Sequence, residues 1–453
     1  MNHNLLSAWA ATMLMLLLIQ PVCAQDSARS LSLKEAVDLC VKNSKQLKNS
    51  QAKIEEATAA LKEAVQRRLP DASVGGSYLY VTQPDISLKV KSTNSGGGGG
   101  SGGLNLSNIK VSQAMYGVLN VSLPVFTGFQ IKAGIESAQF LEKATRLDAD
   151  EDKQVVIQNA INSYAALYKA KAAVGLVEAS LGQSKQRVND FTNLEQNGLM
   201  ARNDLLKAEL ESSNLELTLL DAENNWKLAN VSMNLLLGLP EQTPLNLDSA
   251  SLLQAGPVKS LEEYELAAVQ NRFDVQAIGE RRKAAEAGIV QAKSAYYPNI
   301  ALTAGYIALN VPNLISVTNA VTIGAGVKYN LGSLWKTDAK VQQAKAREKQ
   351  TESNQEILQD NIRLEVNQAY ENFLSGEKKI DVYLTAIVQA EENYKITKNK
   401  YDNSLVTTTD LLDAEVADLQ ARLNHVYAQA DAVVAYNRLL QVAGLLQIES
   451  ENK

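Results

Sequence analysis

The chain contains 453 residues and carries a net charge of −6 at neutral pH. This length allows two or three domains, and the negative charge argues against nucleic acid as a partner, because phosphate backbones attract basic surfaces. No segment after residue 24 reaches 18 consecutive apolar residues, so the sequence predicts no transmembrane helix.

The chain opens with the features of a secretory leader. The apolar run Leu5–Ile19 is too short to span a bilayer, and Val22-Cys23-Ala24 fits a small-x-small cleavage site, which predicts a signal peptide over residues 1–24. A lipoprotein with an acylated Cys23 is the alternative, although the residues before it are a poor context for lipid attachment. After cleavage only Cys40 remains, so no intrachain disulfide is possible.

The mature chain contains the same sequence twice, and the spacing between the copies changes once. From Ser32 to Tyr78 the matching residue lies 228 positions later, and from about Val121 onward it lies 206 positions later. The difference of 22 residues falls on a glycine-rich run at 92–103, and a surface loop absorbs such an insertion at little entropic cost. Matched pairs at the second offset include Asp204/Asp410, Leu205/Leu411, Ala208/Ala414 and Gly238/Gly444.

The duplication predicts two similar halves of one assembly rather than unrelated domains. Repeat 1 occupies residues 25–238, a proline-containing connector occupies 239–259, repeat 2 occupies 260–446 and a tail occupies 447–453. Each repeat opens with the capping-box pattern Ser-x-x-Glu, at Ser32 and Ser260, in front of a helical run. These helices are predicted to extend to Arg68 and Tyr296, before a proline stops each one.

Each opening helix is followed by segments in which apolar residues alternate with small or polar ones. This period of two predicts β-hairpins at about 72–126 and 299–331. In the second hairpin the residues of the apolar face are Ile300, Leu302, Ala304, Tyr306, Ala308, Val321, Ile323, Ala325, Val327, Tyr329 and Leu331. In the first hairpin they are Val74, Tyr78, Tyr80, Val111, Met115, Leu119, Val121, Leu123 and Val125.

A small soluble sheet packed on helices would show the same alternation, but strand length favours the membrane. The strand that ends near Phe126 extends back to Ile109 with one parity, which exceeds the roughly five or six residues usual in soluble sheets. A tilted strand needs about 9–11 residues to cross hydrocarbon. The hairpins are therefore predicted to be membrane strands.

A long stretch without proline follows each hairpin, at Gln130–Gln196 and at Lys336–Asp402. Its Ala-rich apolar positions suit close helix–helix contact along a coiled seam. The stretches turn near 197–204 and 403–410, and in both copies the returning helix ends at a glycine. Each repeat is therefore predicted to contain a long helical hairpin.

Two β-hairpins supply four strands, which are too few to close a barrel, and open strand edges in lipid leave costly unpaired backbone groups. The chain is therefore predicted to combine its strands with those of other copies. Two copies would give eight strands and a bore filled by side chains, whereas three copies would give twelve strands and leave a lumen. The predicted fold class is an α+β membrane protein whose helices continue that lumen into the periplasm.

This order of elements resembles the TolC-like outer-membrane efflux proteins over essentially the whole mature chain. The motifs that carry the resemblance are Val121-Ser-Leu-Pro-Val-Phe-Thr-Gly128, Asn197-Gly-Leu-Met-Ala-Arg-Asn-Asp-Leu-Leu-Lys-Ala208 and Tyr401-Asp-Asn-Ser-Leu-Val-Thr-Thr-Thr-Asp-Leu-Leu-Asp-Ala414. The resemblance implies a homotrimer in the cell outer membrane, with a twelve-stranded β-barrel of four strands per chain and a long periplasmic α-helical barrel. It also implies the passive exit duct of a tripartite efflux or secretion system. The implied partners are outer-membrane lipid, a periplasmic adaptor (membrane fusion protein) and an inner-membrane efflux pump.

The resemblance assigns the periplasmic entrance to residues near the turns. Asp410 and Asp413 match aspartates that line the constriction, and at i and i+3 they share one helix face. Three copies would form a ring of six carboxylates, which favours cations and raises neighbouring pKa values by mutual repulsion. Tyr401 and Asp204 match positions that link neighbouring hairpins and hold the entrance shut, and Lys207 replaces the second aspartate in repeat 1. Taken alone, an acidic pair at this spacing indicates only a solvated helix face.

The resemblance assigns adaptor docking to Gly198 and Leu199 at the first turn and to Ser404 and Leu405 at the second. The alternative interpretation of these residues is a helix-reversing turn with no docking role. Val406 stands where the family has an arginine, so this chain departs from the family's latch at that position.

A soluble periplasmic coiled-coil adaptor or scaffold is the alternative function, but adaptors resemble a single helical hairpin flanked by small β domains. No enzymatic function is predicted, because the mature chain has one histidine, His425, and its acidic residues show no metal-ligand spacing. The sequence therefore predicts no catalytic residue, no metal site and no cofactor.

Overall fold

The computed structural model describes residues 29–80, 82, 112–248, 257–312 and 315–446. The predicted leader with Cys23, the glycine-rich run at 92–103 and the tail at 447–453 lie outside the described residues. The described chain forms two compact units. The tip unit contains both helical turns and consists of residues 29–48, 152–271 and 362–446, and the sheet unit consists of residues 49–151 and 272–361.

Helices dominate the described residues. They are α1 (Leu33–Asn43), α2 (Lys45–Gln66), α3 (Gln130–Gln196), α4 (Arg202–Leu237), α5 (Leu261–Asn271), α6 (Phe273–Lys293), α7 (Ser333–Asp402) and α8 (Thr408–Val442), with a 3₁₀ turn at Ser294–Tyr296. The strands are β1 (Arg29–Leu31), β2 (Asp71–Tyr80), β3 (Gln113–Phe126), β4 (Leu245–Leu247), β5 (Asn299–Val311) and β6 (Ile315–Lys328). Within the described residues, no helix is both long and apolar enough to cross a membrane.

The opening helix of each repeat, predicted as one run, is interrupted once. Ser44 separates α1 from α2, and Arg272, 228 positions later, separates α5 from α6. The Ser44 hydroxyl accepts a hydrogen bond from the N–H of Leu47 at 3.2 Å, so this side chain caps the second segment. The prediction of one unbroken helix was wrong here, because neither glycine nor proline marks the break.

One antiparallel sheet contains the four long strands in the order β2-β3-β5-β6. The strands have 10, 14, 13 and 14 residues, and the two hairpins join through β3 and β5. In the second hairpin β5 continues to Val311 and β6 begins at Ile315. In the described chain, β2 and β6 each have a strand neighbour on one side only.

The strand register confirms the predicted apolar face within the strands, whereas Tyr329 and Leu331 follow the end of β6. Val74 pairs with Leu119, Leu119 with Tyr306, and Tyr306 with Val321. Because alternate residues of a strand share one face, these rows place the apolar sets of both hairpins on the same side. Large side chains of this face are open to solvent in a single chain, with Val74 83% exposed and Ile323 85% exposed.

A β-bulge interrupts the pairing register at the end of β3. Pro124 pairs with Ala301 and Phe126 pairs with Ile300, so Val125 is the extra residue between them. Phe126 therefore takes the paired place opposite Ile300, the place that simple alternation gives to Val125. The predicted extension of the strand back through Val111 lies outside the described residues.

The hydrophobic core of the tip unit forms around a short parallel strand pair that the sequence did not reveal. β1 pairs with β4, which lies inside the predicted connector. The hydroxyl of the fully buried Tyr164 donates to the carbonyl oxygens of Leu31 at 2.8 Å and Asp248 at 3.1 Å, which ties α3 to both strands. Other buried members of this core are Val37, Ile161, Met233 and Leu237.

Candidate functional site at the helical turns

The first turn ends α3 in a conformation that glycine adopts without strain. Gly198 has φ +70°, and nothing lies within 4 Å of the place where a Cβ would stand. The N–H of Leu199 donates to the carbonyl oxygen of Leu194 at 2.8 Å, and the N–H of Gly198 donates to that of Glu195 at 2.9 Å. These two bonds form a Schellman motif, which pairs the last carbonyl groups of the helix.

The second turn has the same backbone geometry with a different residue. Ser404 has φ +60°, its N–H donates to the carbonyl oxygen of Tyr401 at 2.8 Å, and the N–H of Leu405 donates to that of Lys400 at 2.9 Å. A left-handed conformation costs a residue with a Cβ roughly 1–2 kcal/mol. The second turn is therefore strained where the first is relaxed.

Both turns present a leucine to solvent at matching positions. Leu199 is 75% exposed and Leu405 is 73% exposed. In a Schellman motif the residue that follows the left-handed position commonly packs against the preceding helix. Both leucines are mostly exposed instead. The predicted docking residues of the two turns therefore share one backbone geometry, and each turn presents one apolar side chain to solvent.

The helix that follows the second turn, α8, begins with a capping box. The Thr407 hydroxyl accepts a hydrogen bond from the N–H of Asp410 at 3.2 Å. The Asp410 carboxylate accepts from the Thr407 hydroxyl at 2.6 Å and from its N–H at 2.8 Å. These donors, the hydroxyl first and the N–H second, lower the pKa of Asp410 below its ordinary value. Within one copy the pKa of Asp410 is therefore lowered, whereas a ring of carboxylates was expected to raise pKa values.

The two turns differ in the charges that follow them. Asp413 is exposed, as is Asp410, so the second repeat presents two carboxylates one helical turn apart. In the first repeat the ammonium of Lys207 lies 3.5 Å from Oδ1 of Asp204, and the N-cap residue Ala201 provides no side-chain cap for α4. The first turn therefore carries a neutral pair where the second carries two acids.

Tyr401 lies between the two helical hairpins. Its ring stacks on that of Phe191, with centroids 5.7 Å apart and an interplanar angle of 29°. Its hydroxyl accepts a hydrogen bond from the hydroxyl of Thr408 at 3.4 Å. Burial raises the pKa of Tyr401, the Thr408 bond opposes that rise, and the charge of Asp204 adds to it. The structure thus brings the predicted residues Tyr401 and Asp204 into one electrostatic cluster.

A buried ion pair that sequence reasoning missed lies beside this cluster. The guanidinium of Arg187 on α3 contacts the carboxylate of Glu415 on α8, and the two side chains are only 10% and 7% exposed. Arg187 also donates to the hydroxyl of Tyr394 at 3.2 Å. In the described part of the chain, Oε1 of Glu415 is buried and has no hydrogen-bond partner. The only signal in the sequence was that this glutamate recurs as Glu209 in repeat 1.

The remaining reactive side chains have structural surroundings. Burial raises the pKa of the Cys40 thiol to about 11, so this residue is a protonated member of the tip-unit core. His425 is half-buried on α8. Over the described ranges, no group of three or more His, Cys, Asp and Glu side chains is placed to hold a metal ion.

The fold is shared with solved outer-membrane proteins. The outer membrane protein VceC from Vibrio cholerae matches with a TM-score of 0.72 at 19% identity, over 91% of this chain and 96% of that one. The CmeC outer membrane channel of Campylobacter jejuni matches with a TM-score of 0.74 at 17% identity, over 93% of this chain and 87% of that one. At these identities the likeness establishes the fold alone.

The sequence comparisons establish the family. The outer membrane efflux protein BepC of Brucella suis biovar 1 is 24% identical over 359 residues, which are 76% of this chain and 76% of that protein. The outer membrane efflux protein family matches residues 36–239 and 267–445, and so covers most of both repeats. The chain belongs to this family. The sequence left two functions open, and membership in this family supports an outer-membrane efflux protein rather than a soluble adaptor.

Proposed function

We propose that this chain is the outer-membrane exit duct of a tripartite efflux or secretion system. It acts as a homotrimer, in which twelve strands close a β-barrel and the helices continue the lumen through the periplasm as an α-helical barrel. Substrates pass without energy input from an inner-membrane efflux pump and a periplasmic adaptor to the outside.

The observation that carries this proposal is a four-stranded sheet with one exposed apolar face and, among the described residues, an unpaired edge at β2 and at β6. Hydrocarbon accommodates the apolar face but excludes the open edges, because their backbone groups would be unpaired. Pairing β6 of one copy with β2 of the next removes every edge when the ring closes. Three copies give twelve strands and a lumen wide enough to conduct.

The repeat boundaries and candidate residues take defined places in this duct. The glycine-rich run at 92–103 joins β2 to β3 at the end of the sheet away from the helices, and we assign it to the extracellular loop. The turns lie at the periplasmic end. The carboxylates of Asp410 and Asp413 form the entrance ring, Asp204 and Tyr401 hold it shut, and Gly198, Leu199, Ser404 and Leu405 shape the adaptor-docking tips.

Membrane fractionation and mass measurement test this proposal. We expect the chain, expressed with its leader, to separate with the outer membrane, to require detergent for extraction and to have the mass of three mature chains. Ile323→Lys places a charge on the apolar face and should abolish the trimer, since lysine on a lipid face costs about 2–4 kcal/mol at the bilayer centre. Thr322→Lys, on the opposite face of the same strand, is the matched control and should assemble. A detergent-independent soluble monomer would overturn the proposal.

A further inference from the structure

We infer that the sheet unit contains a binding groove for organic dianions, molecules in which two negatively charged groups are joined by an apolar spacer. The groove has a volume of about 650 Å³ and lies between α3, α6 and α7. A volume of this size is typical of sites for small organic ligands. Among the described residues that line it, the charged ones are Arg281, Lys340 and Arg347, and we name it the basic groove.

Two of these three cations have no charged partner. Arg281 on α6 forms an ion pair with Asp148 on α3. In the described part of the chain, neither Lys340 nor Arg347 forms an ion pair with a carboxylate. These two residues are about two helical turns apart on α7, which separates their backbones by about 10 Å along the helix. Because both line the same groove without a counter-ion, an anionic group at each one is stabilised by its cation.

The surface between the two cations is uncharged and has little side-chain bulk. Gln343 and Ala344 lie between them on α7, and α6 contributes Ala285 and Gly288. At Gly288 nothing lies within 4 Å of the place where a Cβ would stand, so this part of the groove is open. Leu141, which is 48% exposed, adds an apolar side chain from α3. An apolar spacer therefore fits between the two charged ends of a ligand, since it removes apolar surface from water without burying a charge.

The two cations on α7 are specific to repeat 2. At the offset of 206 residues, Lys340 corresponds to Gly134 and Arg347 corresponds to Leu141. Neither residue of repeat 1 can pair with an anion through its side chain. The surplus of positive charge is therefore a property of this groove and does not follow from the fold that the repeats share.

A neighbouring groove in the same unit provides an internal comparison. It has a volume of about 460 Å³ and is lined from α2, α3 and α6. Its charged lining residues are Lys53, Glu56, Asp148 and Arg281, so both signs of charge are present. An anion that enters this groove meets carboxylates as well as cations, and we expect no dianion to bind there.

Titration of the purified, detergent-solubilised protein with sebacate at low salt tests this inference. Sebacate is a linear dicarboxylate whose two charges are separated by roughly the distance between Lys340 and Arg347. We expect calorimetry to show one bound molecule per chain. Decanoate has the same chain with one carboxylate, and succinate has two carboxylates on a short spacer. Each should bind about tenfold more weakly than sebacate, because each pairs with only one of the two cations, and about 1 M salt should abolish binding.

Substitutions in and beside the groove locate the site. Arg347→Gln should lower the affinity for sebacate about tenfold, the loss expected for one charge-assisted contact. Lys345→Gln is the matched control, since it removes the same charge from an exposed residue of α7 that does not line the groove, and it should leave the affinity unchanged. Gly288→Leu fills the open part of the groove without changing a charge and should also lower the affinity about tenfold.

Equal affinities for sebacate, decanoate and succinate would overturn the inference, as would the absence of binding at low salt. Equal losses of affinity in Arg347→Gln and Lys345→Gln would overturn it as well. Because Arg347 is exposed, Arg347→Gln should keep the unfolding temperature of the unmodified protein, so this comparison stands even if Gly288→Leu does not fold. None of these outcomes depends on channel formation, and failure of the proposed duct is therefore a separate result.

Discussion

The two turns share one backbone conformation but stabilise it in different ways. The first has glycine at the left-handed position, Gly198, and no side-chain cap at Ala201. The second has the strained Ser404 at that position and a complete capping box from Thr407 to Asp410. The first turn therefore has the glycine that usually ends a helix but no side-chain cap for the next helix. The second turn has the side-chain cap but no glycine.

The charges differ in the same systematic way. An Asp204–Lys207 pair follows the first turn, whereas Asp410 and Asp413 follow the second. The constant offset of 206 residues keeps both turns at equivalent positions in their repeats, while their side chains diverge. The two hairpins therefore have the same length and turn geometry but differ in the charges that follow the turn. In the proposed duct, only the second turn supplies the double ring of acids.

The largest expected difference between the hairpins lies at Arg187. Arg187→Met leaves Glu415 buried without its partner, so we expect α3 and α8 near the turns to lose about 3–5 kcal/mol of stability against local opening, measured by amide hydrogen exchange. Adding Glu415→Leu should recover most of the loss, because an apolar pair can replace a buried ion pair. The matched position on α7, Asn393, is exposed, and Asn393→Met should change stability by no more than about 0.5 kcal/mol. Equal losses of stability in Arg187→Met and Asn393→Met would show that the buried ion pair makes no difference between the two helical hairpins.

The next difference concerns the left-handed residues. Gly198→Ser should destabilise the first turn by about 1–2 kcal/mol, because serine has a Cβ that disfavours the left-handed conformation. Ser404→Gly should stabilise the second turn by a similar amount, because it removes that Cβ. The exchange rates of the Leu199 and Leu405 amides, whose hydrogen bonds complete the two motifs, report the changes. Effects of the same sign at both turns would contradict the account.

The smallest expected difference concerns the helix caps. Thr407→Ala should cost about 1 kcal/mol in the second turn, and Ala201→Thr should stabilise the first, where Asp204 already stands three residues later. Since the pKa of Asp410 is lowered in the folded chain, the stabilisation from its ionised form is present above the ordinary aspartate pKa. This stabilisation is lost as the pH falls through the lowered pKa of Asp410. Exchange in the unmodified and Thr407→Ala chains should therefore differ most at neutral pH and less in acid, where the bond from the Asp410 N–H to the Thr407 hydroxyl remains.

Features set by local pattern were predictable from the sequence. The bounds Gln130–Gln196 were confirmed, because a long run with helical periodicity, no proline and few glycines favours an unbroken helix. The apolar face of the sheet followed from the period of two, and the matching positions of Gly198 and Ser404 followed from the offset.

Features set by distant contacts were not predictable. The Arg187–Glu415 pair joins residues on different repeats, and no local pattern marks either one as buried. The β1–β4 pair is three residues long, too short for any periodicity to show. The bulge at Val125 depends on the partner strand, whose register the alternation of a single strand does not report.

The conductance of the purified protein in a planar bilayer tests the central claim most directly. We expect stable channels that pass K⁺ in preference to Cl⁻. Asp413→Asn should weaken this preference and Lys207→Asp should strengthen it, because the first removes and the second adds carboxylates at the entrance. A protein that forms no channel, or a cation preference that neither substitution changes, would contradict an exit duct whose entrance is built from the second turn.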